Sequence, residues 1–477
     1  MIVEFEQLLE KISQIKSTQK AKELLLSRVN TPNIKKALDF AIKAHKGQKR
    51  KSGEDYVIHP ILVATITSFF NKDEDVIIAA LLHDVVEDTH YSIEDIKKEF
   101  KEEVAHLVEG LTKIVEIRDK SLIPSNSNEK LTKSALTFRK MLTSSIKDLR
   151  VLLIKLCDRV HNMLTLDALP PHKQKRIAEE TLIVYAPIAH RLGIATLKNI
   201  LEDLAFKYFL PQEYEKIDKY IKTHKKEMQL KLNSFIQKIS KLLLENGFRE
   251  GEFEIKSRIK HYYSIFLKMQ RKGISIEEVL DLLAVRIITK EPIDCYKALG
   301  VVHLNFRPLI SRFKDYIAIP KENGYQTIHT TIYNENSIIE VQIRTFDMDK
   351  NAEFGIAAHW KYKLNSAIPD TKWLEEMKFD ENIEDFYELA KNDLFSEDIV
   401  VYSPKFDTFT LPRGARALDF AYAIHTDIGN KAIGAYVNKE KVSLLHQLKT
   451  GDIVKIEVGD EVIPRCSWIE ALKTSKA

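Results

Sequence analysis

Four side chains in the first third of the chain are of the types that bind a divalent transition metal: His59, His83, Asp84 and Asp158. They stand in three motifs, Ile-His-Pro, Leu-His-Asp-Val-Val-Glu-Asp and Cys-Asp-Arg-Val-His-Asn. Imidazole and carboxylate groups suit such a metal, and a metal held in a helical bundle can make hydroxide from water at neutral pH. The pattern predicts a metal-dependent phosphohydrolase in the first part of the chain.

Acidic and amide side chains follow these ligands at helical spacing. Glu87 and Asp88 each stand four residues after a member of the His-Asp pair, and Asn162 stands four residues after Asp158. Residues four apart lie on one face of a helix, so two acids are expected beside the metal and an amide is expected to orient a ligand. The alternative is a His-Asp pair that only caps a helix, and the wider constellation favours the metal site.

A basic segment between His45 and Gly53 precedes the first of these histidines. Its cations suit a phosphate-rich ligand, and the alternative is a solvated basic loop. The cations are Lys46, Lys49, Arg50 and Lys51.

A second group of cations suits the phosphates of a nucleotide. Arg258, Lys260, Lys268 and Arg271 fall in one short segment, and guanidinium and ammonium groups bind polyphosphates. A cation-rich surface helix is the alternative. A later loop, punctuated by Pro and Gly, interleaves cations with polar and aromatic side chains in a way that suits a purine nucleotide. Its residues are Arg312, Lys314, Lys321, Asn323, Tyr325, Gln326 and His329.

Alternation of apolar and polar residues in Ile339-Glu-Val-Gln-Ile-Arg predicts a strand that presents Glu340, Gln342 and Arg344 on one face. Asp281 precedes a second predicted strand, which runs through residues 285–288. Carboxylates from neighbouring strands hold magnesium beside substrate phosphates, so we expect Asp281 and Glu340 to act together. The sequence does not establish that the strands are neighbours, and the alternative for Glu340 is a surface ion pair.

Length and composition set the frame for these sites. A chain of 477 residues exceeds what one core usually holds, and a net charge of +4 gives no strong global field. Cys157, Cys295 and Cys466 have no paired spacing and are interpreted as free thiols. No stretch has the length and apolarity of a membrane span, and no signal peptide is visible. We therefore expect a cytoplasmic protein that does not use a membrane.

The motifs together resemble the RelA/SpoT family of long guanosine tetraphosphate synthetase/hydrolases, from about residue 20 to about residue 470. The resemblance implies a multidomain fold of α and α+β classes. It comprises an all-helical HD-type phosphohydrolase domain (1–195), connecting helices (196–250), a mixed-sheet nucleotidyltransferase-like synthetase domain (251–368), a linker (369–395), a small β-grasp TGS domain (396–460) and a C-terminal tail (461–477).

The resemblance also implies roles for the site residues. In the first domain Glu87 and Asp88 would activate water, and Mn²⁺ would be bound by His59, His83, Asp84 and Asp158. The nucleotide there would lie along Arg50, Lys51, Asn162 and Thr165. In the second domain Tyr325 would stack on guanine, and Asp281 with Glu340 would serve Mg²⁺ and activate the attacking hydroxyl. ATP would be held by Arg258, Lys260, Lys268, Arg271 and Arg286, and the pocket would include Lys314, Lys321, Asn323, Gln326 and His329.

Two opposed reactions follow from the resemblance: transfer of pyrophosphate from ATP to the 3′-hydroxyl of GDP or GTP, and hydrolysis of the 3′-pyrophosphate of (p)ppGpp. Three alternatives stay open, namely a hydrolase with a silent synthetase, a synthetase with a silent hydrolase, and a non-catalytic regulator that binds tRNA or the ribosome. The sequence does not determine the oligomeric state.

The third module carries Leu-Asp-Phe-Ala-Tyr-Ala-Ile-His-Thr, which resembles the TGS signature. By that resemblance His425 faces the 3′ end of uncharged tRNA, and the ribosome is a further partner. Asp349 stands where the family usually has His. The chain is expected to end after this module, at Ala477, where long family members continue into regulatory domains.

Overall fold

The computed structural model describes residues 2–120, 148–279, 282–321, 324–334, 337–355, 398–404, 407–412, 414–449 and 451–459, together with Trp468 and Leu472. The described residues form two compact units, one up to residue 355 and one from residue 398 onward. Within the described part of the chain, no helix is both long enough and apolar enough to cross a membrane.

The first unit begins with a helical half. Capping side chains start several of its helices: Thr31 accepts from the backbone N–H of Ile34, and Asp73 and Asp148 do the same for the helices after them. The helices are α1 Ile2–Ser13, α2 Thr18–Arg28, α3 Pro32–Ala44, α4 Ile58–Phe70, α5 Glu74–Leu82, α6 Val85–Asp88, α7 Ile93–Glu99, α8 Glu102–Lys120, α9 Leu149–Leu164, α10 Pro171–Glu180 and α11 Ala186–Arg191. A π-helical turn, Thr181–Tyr185, joins the last two. The prediction of an all-helical first part is confirmed.

Two helices connect this half to the rest of the unit: α12 Ala195–Phe209 and α13 Pro211–Glu245. Pro211 occupies the first turn of α13, where a missing backbone N–H costs no helical hydrogen bond. Helix α12 packs against α9, α10 and α11 and also against α13 and helices of the sheet half. It is therefore shared between the two halves of the unit.

The second half of the unit is a mixed sheet in the order β1-β2-β6-β5-β3, with β4 also paired to β5. Strands β2 and β6 run parallel, and the other pairs run antiparallel. The strands are β1 Phe253–Ile259, β2 Leu283–Thr289, β3 Arg307–Pro308, β4 Lys314–Asp315, β5 Ile328–Asn334 and β6 Ser337–Thr345. The helices of this half are α14 Tyr262–Lys272, α15 Pro292–Asn305 and α16 Phe346–Phe354, with 3-10 turns at Ile276–Glu278 and Ile310–Arg312. A further 3-10 turn, Leu166–Ala168, follows α9 in the helical half.

The alternation predicted for β6 is confirmed. Ile339, Val341 and Ile343 are fully buried in the apolar core, whereas Glu340 is only partly buried. Helices α13 and α15 contribute to that core, and α16 contacts β2 and β6. The sheet therefore offers a polar face for chemistry that is separate from its packing face.

The second unit has a hairpin and a three-stranded antiparallel sheet in the order β10-β9-β11. Its elements are β7 Asp398–Tyr402, β8 Thr408–Pro412, α17 Ala417–Ile424, α18 Thr426–Asn430, β9 Ala432–Val437, β10 Glu440–Val442 and β11 Val454–Val458. Asn438 and Lys439 have φ of 51° and 75° between β9 and β10, as a two-residue turn of the right hand for a hairpin requires. The fold class expected from the sequence, with helical, mixed-sheet and small α+β parts, is confirmed.

Two cysteines, Cys157 and Cys295, are buried free thiols, as predicted. Cys466 lies outside the described residues.

Candidate functional site

The four predicted metal ligands converge in the helical half. His59 lies near the start of α4, Asp158 lies on α9, and His83 and Asp84 lie between α5 and α6. His59 Nε2 is 3.2 Å from Asp158 Oδ1 and 3.6 Å from Asp84 Oδ2, and His83 Nε2 is 3.1 Å from Asp84 Oδ1. All four residues are buried. Potential ligand atoms of His59, His83 and Asp84 lie within 4.8 Å of one another.

The hydrogen bonds of His83 show that these side chains suit a cation. Its Nδ1 is 2.8 Å from the carbonyl oxygen of Ala80, which only accepts, so Nδ1 carries the proton. In the neutral ring Nε2 then presents a lone pair, and it has no hydrogen-bond partner among the described residues. This lone pair faces Asp84 and, at 4.0 Å, Asp158. The lone pair of His83 Nε2 and the carboxylates of Asp84 and Asp158 together suit a divalent metal. The carbonyl of Ala80 orients the His83 ring.

A break in the helix explains how adjacent residues reach one site. Helix α5 ends at Leu82, Asp84 has φ −99° and ψ −6°, and α6 starts at Val85. The backbone N–H of Asp88 still donates to the carbonyl of Asp84 at 2.9 Å. The spacing of four in the sequence predicted that the acids lie beside the His-Asp pair, but it did not indicate the break.

Three neighbours of the ligands were missed from the sequence. Tyr56 Oη lies 2.9 Å from Asp84 Oδ2 and 2.7 Å from Asp88 Oδ2. Lys155 Nζ lies 2.8 Å from Asp158 Oδ2, and His161 Nδ1 lies 2.8 Å from His59 Nδ1. Helical spacing from Asp158 was a usable signal for Lys155 and His161. Tyr56 carried no comparable signal, because only the tertiary fold brings it to Asp88.

Glu87 has an environment suited to proton transfer. Burial raises the pKa of Glu87 to about 8, and the nearby charges of Asp84 and Asp88 add to the rise. A carboxyl group that keeps its proton near neutral pH can act as a general acid.

The predicted nucleotide residues of this half also meet. Arg50 Nη2 donates to Asn162 Oδ1 at 3.1 Å, and Arg50 Nη1 donates to Thr165 Oγ1 at 3.3 Å. Asn162 Nδ2 in turn donates to Asp158 Oδ1 at 2.6 Å. Lys51 is exposed next to Arg50 in the chain. Asn162 therefore contacts both Arg50 and the candidate metal ligand Asp158.

On the polar face of the sheet, predicted residues contact Glu340 in a chain. Gln342 Nε2 donates to Glu340 Oε1 at 2.6 Å, and Lys260 Nζ lies 3.5 Å from Glu340 Oε2. His329 Nδ1 lies 3.7 Å from Glu340 Oε1, and its Nε2 lies 3.1 Å from Tyr325 Oη. Burial lowers the pKa of His329 to about 4, so the ring is neutral at physiological pH.

The strand that carries Glu340 pairs with β2, the strand that follows Asp281 in the sequence. Ala284 of β2 pairs with Glu340 of β6, although the positions lie far apart in the sequence. Asp281 precedes β2 and lies outside the described residues, as does Asn323 of the pocket loop.

The remaining cations of this half are distributed over several elements. Arg286 Nη1 donates to Asp349 Oδ1 at 2.9 Å and to Glu353 Oε1 at 2.8 Å, and its predicted contact with ATP stays a prediction. Lys314 pairs in register with His329, and Lys321 Nζ lies 5.2 Å from the ring centroid of Tyr316. Arg258 lies on β1, Lys268 and Arg271 lie on α14, and Gln326 is partly buried just before β5.

In the second unit His425 ends α17 and caps α18, where its Nδ1 accepts from the backbone N–H of Asp427 at 3.2 Å. Its side chain is 65% exposed. An exposed, oriented ring is compatible with the predicted tRNA contact, which stays a prediction.

Three family profiles match the chain in the predicted order. They are described as HD domain (residues 37–195), region found in RelA / SpoT proteins (residues 257–367) and TGS domain (residues 399–457).

Relatives match over nearly the whole chain. A GTP pyrophosphokinase of Myxococcus xanthus is 45% identical over 454 residues, which are 93% of this chain and 59% of that protein. A guanosine-3′,5′-bis(diphosphate) 3′-pyrophosphohydrolase of Aquifex aeolicus is 43% identical over 95% of this chain and 65% of its own length. The bifunctional (p)ppGpp synthase/hydrolase SpoT of Escherichia coli is 38% identical over 93% of this chain and 63% of its own length. The chain thus spans less than two thirds of each of these three relatives. With the HD, RelA/SpoT and TGS matches in this order, the chain belongs to the RelA/SpoT family.

Proposed function

We propose that the chain both makes and destroys guanosine tetra- and pentaphosphate. The helical half would hydrolyse the 3′-pyrophosphate of (p)ppGpp, and the sheet half would transfer pyrophosphate from ATP to the 3′-hydroxyl of GDP or GTP and release AMP. The observation that carries this proposal is the presence of two separate sites, one centred on four buried metal ligands and one on Glu340. The names of the relatives, which include both activities, support it.

For hydrolysis, His59, His83, Asp84 and Asp158 would hold a divalent metal, which we propose to be Mn²⁺. When bound, the metal supplies Lewis-acid chemistry and a water of lowered pKa. Arg50, Asn162 and Thr165 would orient the nucleotide, with Lys51 adding positive charge at the rim.

Proton transfer in this reaction would involve the two acids beside the ligands. Glu87, with its pKa of about 8, would protonate the ribose 3′-oxygen as the bond from that oxygen to phosphorus breaks and the water oxygen bonds to the same phosphorus. Asp88, held by the Tyr56 hydroxyl at 2.7 Å, would accept the proton of the attacking water. In this assignment Asp88 activates the water, and Glu87, which the resemblance pairs with it in that role, serves as the proton donor.

For synthesis, Glu340 would take the proton of the attacking 3′-hydroxyl, and Asp281 with Glu340 would hold Mg²⁺. The cations would neutralise the triphosphate and the charge that develops during transfer; they are Arg258, Lys260, Lys268, Arg271 and Arg286. Tyr325 would stack on guanine within a pocket formed by Lys314, Lys321, Asn323, Gln326 and His329.

The TGS module would contact uncharged tRNA or the ribosome through His425. The division into domains at 1–195, 251–368 and 396–460, and a cytoplasmic location, are further parts of the proposal. They agree with the limits of the three profile matches and with nucleotide substrates.

One assay tests the two activities together. Purified protein is incubated with ATP, GDP, Mg²⁺ and Mn²⁺, and AMP and tetraphosphate are resolved over time. His83→Ala should abolish hydrolysis and let tetraphosphate accumulate, and Glu340→Ala should abolish AMP release but leave hydrolysis of added tetraphosphate intact. If His83→Ala left hydrolysis intact, or Glu340→Ala left synthesis intact, the corresponding site would be wrongly assigned. Tight tRNA binding by the wild-type protein, together with no turnover at either site, would favour the regulator.

A further inference from the structure

Four buried charges form a cluster at one end of the polar face of the sheet. Arg286 comes from β2, Arg344 from β6, and Asp349 and Glu353 from successive turns of α16. Arg344 is 1% exposed, Glu353 2%, Asp349 3% and Arg286 8%. The two positive and two negative charges of these four side chains balance one another, which favours their burial. The partly exposed Lys256 Nζ lies a further 3.7 Å from Asp349 Oδ2.

Each carboxylate bridges both arginines. Asp349 Oδ1 accepts from Arg286 Nη1 and from Arg344 Nε, each at 2.9 Å. Glu353 Oε1 accepts from Arg286 Nη1 at 2.8 Å and from Arg344 Nη2 at 3.2 Å. Removing either carboxylate would therefore change the orientation of both guanidinium groups.

The cluster adjoins the nucleotide residues. The Arg344 guanidinium carbon lies 5.9 Å from the ring centroid of Tyr325, within the range of a cation–aromatic contact. Arg286 pairs in register with Gln342, the residue that donates to Glu340. Side chains two apart on a strand share a face, so Glu340, Gln342 and Arg344 form one row that begins at the reacting carboxylate and ends at the cluster.

Helix α16 is also held in place by contacts with α12 and with the turn before α12. Glu353 Oε2 accepts from the hydroxyl of Thr196, at the start of α12, at 2.5 Å. Gly355 ends α16 with φ +55°, and a Cβ there would lie 2.1 Å from the carbonyl oxygen of Leu192. Only glycine permits this close approach, so the carboxylates project from a helix with a defined position.

We propose that Asp349 and Glu353 are positioning residues of the nucleotide site in the sheet half. They orient Arg344, and Arg344 holds the ring of Tyr325 for stacking on the purine of the guanosine acceptor. The inference deepens the proposed synthetase function and rests on it. Buried ion clusters stabilise a fold little in comparison with apolar packing, so the consequence of these directed bonds is expected in ligand binding more than in folding.

The test uses Asp349→Asn and Glu353→Gln in the full chain, with Asp347→Asn as the matched control, because Asp347 lies exposed on the same helix. Synthesis is measured with GDP varied at saturating ATP, and then with ATP varied at saturating GDP. Each cluster variant should raise KM for GDP roughly tenfold, the size expected for loss of one oriented cation–aromatic contact. The KM for ATP should rise as well, because Arg286, which we propose to bind the triphosphate, donates to both carboxylates. The kcat and the rate of hydrolysis should change less than about twofold, as should every constant of the control.

Loss of one charge leaves the others buried and unbalanced, and this can unfold a protein. The double variant Arg344→Gln, Asp349→Asn is neutral again, and its melting temperature should return towards that of the wild type while KM for GDP stays raised. Folded variants with an unchanged KM for GDP, or a neutral double variant whose KM returns to the wild-type value, would overturn the inference.

The affinity for GDP is measured in parallel by calorimetry. Weaker GDP binding by the variants would support the positioning role even if the wild-type protein made no tetraphosphate, in which case only the proposed synthetase function fails. Equal GDP affinity in wild type and variants would reject the positioning role independently of turnover.

Discussion

The candidate metal centre is lined by electron-pair donors and is enclosed, whereas the nucleotide site of the sheet is lined mostly by cations and is more open. His59 and His83 have side chains 4% and 2% exposed, compared with 24% for Lys260 and 22% for His329. The first site needs a cation to balance its carboxylates, and the second needs an anion to balance its ammonium and guanidinium groups. Under the proposed function, one chain would act on related nucleotides at two sites of opposite electrostatics.

The two sites also differ in their support. The metal ligands come from helices that pack directly on one another, and Asn162 follows its ligand by one helical turn. The sheet site depends on strand pairing and on α16. This helix places Asp349 in contact with Arg286 of β2 and Glu353 in contact with Arg344 of β6. We therefore expect single-residue changes to separate the two activities cleanly, except where α12 and α16 touch both halves.

The largest expected effect comes from removing the metal. Chelation should reduce hydrolysis at least about a thousandfold, because the bound water loses its lowered pKa. Readdition of Mn²⁺ should also raise the melting temperature, since the metal binds the folded site. Rates and thermal melts of the same samples check both effects. In His83→Ala the Mn²⁺-dependent shift should be much smaller, and a shift of undiminished size would place the metal elsewhere.

Next in size is the loss of the proton acceptor in the sheet. Glu340→Gln should lower kcat for synthesis by roughly 10²- to 10⁴-fold, the range for a general base. Hydrolysis of added tetraphosphate should stay within about twofold. Glu254→Gln, which changes an exposed acid on β1, is the control and should leave both rates unchanged. Equal losses in both variants would indicate a general charge effect on the sheet.

A smaller effect on hydrolysis is expected from a residue that contacts a candidate metal ligand without binding the metal itself. Tyr56→Phe removes the hydroxyl that lies 2.9 Å from Asp84 and 2.7 Å from Asp88. Such outer partners contribute about 10- to 100-fold, so hydrolysis should slow by roughly tenfold with synthesis unchanged. Initial rates of both reactions, with Tyr91→Phe as the control from the same half, check this. A Tyr56→Phe enzyme as fast as wild type would restrict the metal centre to its four ligands.

The smallest expected effect is the pH dependence of stability that arises from the buried side chain of His190. Burial, with the nearby cations Lys198, Lys321 and Arg191, lowers the pKa of His190 to about 3, against about 6.5 in an unfolded chain. Below pH 6.5 the unfolded chain binds a proton that the folded chain does not, so stability is full above that pH and falls as the pH drops towards 3. Between pH 7.5 and 5.5 the loss from this group should be about 1.4 kcal/mol.

Urea denaturation at the two pH values measures that loss. The difference in the free energy of unfolding should be smaller in His190→Asn than in the wild type. An identical pH dependence in both proteins would mean that His190 titrates normally in the folded chain.

Much of the metal centre was predictable because it depends on local patterns. The ligand types, the following acids and the Asp158–Asn162 spacing are all visible within single helices or turns, and the structure brings these residues together. The contacts of Tyr56 with Asp88 and of His161 with His59 were not predictable, because they join side chains from separate segments whose relative placement no local pattern specifies.

The sheet half shows the same limit more strongly. Alternation correctly predicted which residues of β6 share a face, but it could not pair β2 with β6, since parallel pairing joins segments far apart in the chain. It also could not show that Arg286 bonds to Asp349 and Glu353. Those partners follow β6 on a helix whose direction is set by contacts with α12.

The sequence by itself determined the chemical inventory of this protein, the periodicity of its elements and its three-module order, because residue type and spacing are local properties. Only the tertiary structure decided the His83 tautomer, the neighbours of Glu340 and the cluster of buried charges whose Arg344 contacts the ring of Tyr325. Each of these depends on which distant side chains share a buried volume, where a polar atom must find a partner that no local pattern supplies.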